Sequence, residues 1–307
     1  MFEVTPVHWV GFLVLVLVLL LLDLGVLNRK AHVISLREAA ATSAIWVALS
    51  LGFNGLVWAL MGEGKAIEFF TAYLIEKSLS IDNIFVFIVL FEFFRVPPEY
   101  QHRVLFWGIL GALVTRGAFI FAGTALLHRF HVVVYLFGAI LVFTALRLAF
   151  QKAGPIQIER KRIVRWVQKL LPVAPEAPQG QLFCRYDGKV WVTPLFLTLV
   201  TIELTDIVFA VDSIPAVLAI TDDEFIVFTS YILAILGLRA LYFLLAGAMH
   251  RFRYLKVGLA AILLFVGAKM LASDLIKVPN GVSLLVIAVV LAVTIGASLG
   301  SRPASPG

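Results

Sequence analysis

Five carboxylates lie inside apolar runs long enough to cross a membrane, and they fall in two short segments. Glu76 and Asp82 belong to IEKSLSIDNIFVF, and Glu203, Asp206 and Asp212 to TIELTDIVFAVDSIPAV. A charge at mid-bilayer costs about 2.5–3.5 kcal/mol on insertion scales, so residues of this kind default to function. Helical periodicity puts Glu76, Ser80 and Asn83 on one stripe, and Glu203, Asp206, Ala210 and Ser213 on another. Thr205 adds a hydroxyl beside Asp206. Pro215 has no amide hydrogen to give the carbonyl of Val211, which predicts an irregular, oxygen-donating stretch next to Asp212.

Every donor in these segments is oxygen: carboxylate, amide, hydroxyl or carbonyl. Such hard donors suit Mg²⁺, Ca²⁺ or Mn²⁺. The histidines (His8, His32, His102, His128, His131 and His250) sit at span ends or in loops, and the single cysteine, Cys184, lies in a linker, so Zn²⁺ and Cu⁺ lack their usual ligands. Arg116 and Arg239, near the middles of their own spans, either take part directly or hold the bundle together by pairing with Asp82 and Asp206. They leave the carboxylates in excess, less so if Lys77 also points inward, and a divalent cation or protons would neutralise that excess. Lys77, Arg147 and Lys269 lie near span ends and are expected to snorkel. Asp23 reads as a solvated end charge, and Glu68, Glu92 and Asp274 as interfacial.

The elements that must position these side chains are membrane helices. The 307 residues are 61% hydrophobic and 14% charged, with a mean hydropathy of +1.00; soluble chains carry about 25% charged residues. Apolar runs at about 8 to 27, 39 to 61, 71 to 94, 104 to 127, 131 to 151, 191 to 220, 225 to 248, 257 to 274 and 282 to 300 predict an all-α polytopic membrane protein with about nine transmembrane helices. The composition excludes a nucleic-acid binder, a disulfide scaffold and a cytosolic enzyme. The run at 191 to 220 is too long for a straight crossing, so tilt, a break or an extension beyond the membrane must absorb the excess.

Charge sets the expected orientation. With the N-terminus outside, 17 of the 25 Lys and Arg fall on inner segments, while the outer turn Thr221-Asp222-Asp223-Glu224 is acidic. The C-terminus is then cytoplasmic, in a bacterial plasma (inner) membrane. The inner segment 152–190 opens on a basic stretch, IERKRIVRWVQKLL, which reads as a solvated linker or as a face for anionic headgroups or for membrane and exported-protein partners.

The chain also repeats itself. AILVFTALR (139–147) aligns without a gap on AILLFVGAK (261–269), Arg116 matches Arg239 at nearly the same offset, and Asp82 falls on Asp206. Three spans per unit makes the second copy inverted, an arrangement typical of secondary transporters that bind substrate where the repeats meet. The expected organisation is therefore two N-terminal helices in 1–70, a first three-helix unit in 71–151, the linker 152–190, an inverted second unit in 191–274, and a last helix with a short tail in 275–307.

The segments DLGVLNRKAHVISLREA, EKSLSIDNIFVF and TDIVFAVDSIPA resemble the TerC family of membrane proteins, including its Alx-type members, from about Asp23 to Asp274. That resemblance implies Mn²⁺ efflux and a link to tellurium resistance, and carries the acidic motif onto Glu76, Asp82, Asn83, Asp206 and Asp212. The expectation is a transporter exporting a divalent cation, Mn²⁺ first, with proton exchange suggested by the carboxylate excess. It would hold no permanently bound cofactor. A non-transporting scaffold for metal delivery or tellurium resistance is the second class. An enzyme is not expected, because no His or Cys nucleophile accompanies the carboxylates.

Overall fold

Apolar segments in lipid have no water to satisfy their peptide groups, so they must close hydrogen bonds within themselves as helices. The computed structural model follows that rule. It describes residues 4–22, 34–150, 180–186, 189–246 and 254–300, without the side chains at positions 82, 85, 186, 189 and 299. The chain runs α1 (Pro6–Leu22), α2 (Leu36–Met61), α3 (Glu63–Phe93), α4 (Pro98–Arg129) and α5 (Val132–Phe150). A hairpin follows, β1 (Phe183–Tyr186) and β2 (Lys189–Val192), then α6 (Pro194–Leu218), α7 (Glu224–Leu236), α8 (Leu238–Ala246), α9 (Leu255–Leu271) and α10 (Asn280–Gly300). Asp23 and residues 152–179 of the basic linker lie outside the described residues.

Local chemistry sets the ends. Ser35 caps α2 by accepting from the amide of Glu38, the residue three on that completes a capping-box pattern. Asp223 accepts from the amides of Phe225 and Ile226 at the start of α7. Thr193 caps α6, where Pro194 occupies a first-turn position that needs no donor. Between α2 and α3 the chain turns at Gly62 with φ 89°, a conformation that favours glycine.

Among the described helices five are long and apolar enough to cross a membrane, or six if the bent pair α7–α8 is one span. The nine-span expectation counts three more. Of these, α1 and α9 have 17 residues each, and α3 carries the charges of Glu76, Lys77 and Asp82 in its middle. The run at 225 to 248 is not one straight helix, because α7 and α8 meet at Gly237 with a 41° bend. The long run at 191 to 220 contains a 25-residue helix; Trp191 and Val192 belong instead to the hairpin, where they pair with Cys184 and Phe183. That removes the excess length without a break, and α6 stays helical through Pro215 to Leu218.

The helices divide into a core and a lipid-facing ring. Every residue of α7 after Glu224 is buried. Outer positions such as Val7, Leu17, Val114, Phe143 and Val293 are exposed large apolar side chains, as a bilayer surface requires. Helix α3 packs along α7, α4 along α6, and α5 along α9. The last pair touches backbone to backbone: a Cβ at Gly138 would lie 3.1 Å from the carbonyl of Gly267, and one at Gly267 would lie 3.0 Å from the carbonyl of Gly138. Contacts also gather by end. Lys65, Glu68, Thr221, Asp223 and Asn280 meet at one end, and Gln101 meets Tyr242 at the other.

Candidate ion site

Helices α3, α4 and α6 bring one arginine and two carboxylates together in the core. Arg116 is 1% exposed and Glu76 0%. The guanidinium reaches Asp206 as a fork: Nε donates to Oδ2 at 2.6 Å and Nη2 donates to Oδ1. Its Nη1 donates to Glu76 Oε1 at 2.8 Å and to Ser213 Oγ at 3.3 Å. Ser80 donates to the same Glu76 oxygen at 3.2 Å. Below the guanidinium lies the ring of Tyr231 on α7, 4.9 Å from Cζ to centroid, with its hydroxyl 2.9 Å from Ser213. Planar, permanently charged arginine suits this bidentate, stacked geometry as lysine would not.

The described pairing brings Arg116 partners other than the one expected for it. Arg116, expected opposite Asp82, makes every one of its described hydrogen bonds to the α3 and α6 partners Glu76, Asp206 and Ser213. Among the described residues Asp206 accordingly pairs with an arginine of α4. The side chain of Asp82 lies outside the described residues; its backbone sits on α3, one turn and a half beyond Glu76. Asn83 is buried on the same helix.

Glu203 stands one turn before Asp206 on α6, against the glycines of α4. A Cβ at Gly108 would lie 3.4 Å from Glu203 Oε1, and one at Gly111 would overlap the carboxylate. Glu76 Oε2 and Glu203 Oε1 are both buried with no hydrogen-bond partner among the described residues. A small cavity of about 20 Å³ is lined by Ser80, Arg116, Glu203, Asp206 and Arg239 among apolar neighbours. One water needs about 10–15 Å³ on that measure, so the cavity takes a bare ion or a single water and no hydrated ion.

The remaining predicted residues separate from this centre. Asp212 turns toward α5, where it accepts from Thr144 at 2.7 Å. Thr205 spends its hydroxyl on the carbonyl of Thr201 at 2.7 Å. Arg239, at the start of α8, lines the cavity. Lys77 does not snorkel. Its Nζ donates to the carbonyl of Ala234 at 3.1 Å, where the break at Gly237 interrupts the helical ladder. Gly237 leaves the room for it, since a Cβ there would lie 2.7 Å from Lys77 Nζ. Among the described residues no three His, Cys, Asp or Glu side chains stand as a ready metal site.

Sequence reasoning missed Tyr231, Thr144 and the glycine slot at Gly108 and Gly111. The signal for Tyr231 was available: it is a hydroxyl-bearing ring two helical turns before Arg239 in an apolar run. Nothing in a linear reading marks Thr144 as the partner of Asp212.

The comparisons with known proteins agree with the motif. The chain matches the description "Integral membrane protein TerC family" over residues 61–304. It is 50% identical over 295 residues to "Uncharacterized membrane protein STKORF319" of Myxococcus xanthus, covering 96% of this chain and 92% of that one. It is 46% identical over 300 residues to the Salmonella typhi protein named "Putative membrane-bound redox modulator Alx", covering 95% and 93%, and 46% identical over 299 residues to the Escherichia coli K12 protein of the same name, covering 94% and 93%. No solved structure matches the chain. With a family match across most of its length and relatives aligned nearly end to end, the chain belongs to the TerC family of integral membrane proteins.

Proposed function

We propose that the protein is a secondary transporter that carries a divalent cation, Mn²⁺ first, out of the cytoplasm, with protons moving the other way. The observation that carries this reading is the meeting of Glu76 and Asp206, from two different helices, deep in the core with a buried Glu76 oxygen left without a partner among the described residues. Buried carboxylates facing each other within a bundle mark ion paths. Their oxygen-only chemistry suits Mn²⁺, Mg²⁺ or Ca²⁺ over soft metals, and the family resemblance points to Mn²⁺ among these.

The proposed path has nine crossings, with the N-terminus outside and 71–151 and 191–274 as inverted units. Exchange of packing partners supports a two-fold relation between the units, which three spans per unit would make an inverted one. A two-fold axis that swaps the units would convert the α3–α7 contact into the α4–α6 contact and carry the α5–α9 contact onto itself, and all three occur. The alternate-access motion of such transporters is a rocking of one unit against the other around a shared site.

One observation favours a second reading, a scaffold that holds or delivers metal without moving it: Arg116 already neutralises part of the carboxylate pair. Inside-out membrane vesicles containing the protein separate the two. A transporter takes Mn²⁺ into such vesicles, faster when their interior is acidic, and Zn²⁺ at equal free concentration competes poorly. A scaffold binds Mn²⁺ and accumulates none.

A further inference from the structure

We propose that Arg116 is a built-in counter-cation that occupies the metal's place on Glu76 and Asp206, and that Glu203 is the carboxylate to which it moves when the metal arrives. This rests on the reading of Glu76 and Asp206 as a divalent-cation site.

Arginine cannot leave the site by losing a proton, because the guanidinium stays charged at any physiological pH. It must leave by moving. In the described state its fork covers both oxygens of Asp206 and one of Glu76. Only Glu76 Oε2 is left over, on a side chain 0% exposed, with no partner among the described residues. A hard divalent cation takes about six oxygen ligands. It cannot gather the two carboxylates while the fork is in place, so arginine and metal exclude each other.

A displaced guanidinium needs a second anion, since an unpaired charge in a core is the costliest outcome. Glu203 meets each condition for that role. It lines the same cavity as Arg116, so no barrier of packed side chains separates them. It stands one turn from Asp206 on α6, the spacing at which side chains are neighbours. Its Oε1 is buried and without a partner among the described residues. The glycines at 108 and 111 make room on α4 for the Glu203 carboxylate, and Arg116 is rooted on the same helix five residues beyond Gly111. With metal bound, the ion balances Glu76 and Asp206 while Arg116 balances Glu203. Without it, Arg116 returns, and the core is never left with two bare carboxylates facing each other.

The test is Mn²⁺ binding to the purified full chain in detergent, read as loss of the free Mn²⁺ electron paramagnetic resonance signal, with gel filtration confirming fold. Arg116→Gln removes the competitor and should bind Mn²⁺ more tightly than wild type, by about 5- to 150-fold if the coupling is of the usual size for two ligands of one protein. Glu203→Gln removes the second seat and should bind more weakly by a comparable factor. The double variant should bind as Arg116→Gln does, because a seat is needless once its occupant is gone. If Arg116→Gln fails to fold, Arg116→Lys replaces it: a point charge without the fork should also admit Mn²⁺ more readily than wild type. A folded Arg116 variant that binds no more tightly than a binding-competent wild type overturns the competition and leaves the transport reading standing. A double variant about tenfold weaker than Arg116→Gln overturns the seat, since Glu203 would then be touching the metal. Absence of Mn²⁺ binding in every folded protein overturns the metal site itself, and this proposal with it.

Discussion

Arg116 on α4 and Asp206 on α6 form a two-pronged buried ion pair that ties the two helices together. The two residues stand 90 positions apart in the sequence. It fixes how α4 and α6 sit together, and any motion of one helix against the other must loosen it.

Breaking it from one side should be more harmful than removing it. Asp206→Asn leaves a buried guanidinium with Glu76 as its remaining carboxylate, and loss of one member of such a pair typically costs about 3–5 kcal/mol. The melting temperature in detergent should fall for Asp206→Asn and recover in part in Arg116→Gln/Asp206→Asn. A double variant less stable than either single one would show that the pair is not the coupled unit described.

The slot for Glu203 depends on Gly111. A methyl group there overlaps the carboxylate, and overpacking a core costs about 1–3 kcal/mol. Gly111→Ala should lower thermal stability, and adding Glu203→Ala should restore it. Wild-type stability in Gly111→Ala would show that Glu203 has room elsewhere.

Lys77 supports the break between α7 and α8. Lys77→Met removes the donor to the carbonyl of Ala234, and an orphaned buried group costs about 1–3 kcal/mol. Amide exchange should quicken around residues 234–239 in this variant, with the ends of α3 unaffected. Unchanged exchange would mean that Gly237 sets the bend without the lysine.

Outside the span, Lys65 gives a pH prediction. Burial works against its charged form, but hydrogen bonds and charge attraction from Asp223 and Glu68 outweigh it and raise its pKa above 10.5. A raised lysine stabilises the fold fully below its unfolded pKa, and that contribution fades as pH climbs through the higher folded value. Alkaline unfolding above pH 10.5 should therefore include a step that Lys65→Met lacks. Identical alkaline profiles would remove Lys65 from the network.

Orientation can be read at Cys184, the lone thiol, partly exposed on the hairpin. An impermeant thiol reagent should label it only after cells are opened. Labelling of intact cells would invert the proposed topology.

The chemistry of the site was legible in sequence because a carboxylate in an apolar run is anomalous wherever it stands: Glu76, Glu203 and Asp206 could be found without coordinates. Their partners could not. Arg116 was read as a counter-charge for Asp82, and only the packing of α4 along α6 reveals its bond to Asp206. Asp212 was read with Asp206 as part of one acidic motif, and only the packing of α6 against α5 brings it to Thr144. Lys77 was read as an end charge because nothing in a hydropathy profile announces a helix break. Gly237 is tolerated in membrane helices generally, and only the carbonyl of Ala234 reveals what the lysine is for. Similarly, the end of the long sixth run depended on a strand pairing that hydropathy treats as more helix.

The central claim is that the core carboxylates carry Mn²⁺ across the membrane. The most direct measurement is Mn²⁺ flux into proteoliposomes holding wild type or Asp206→Asn at equal amounts of folded protein, with an internal pH dye reporting proton movement. The account predicts Mn²⁺ flux with opposing proton movement for wild type and neither for Asp206→Asn. Wild-type flux in Asp206→Asn, or no flux in wild type across an imposed Mn²⁺ gradient, would contradict it.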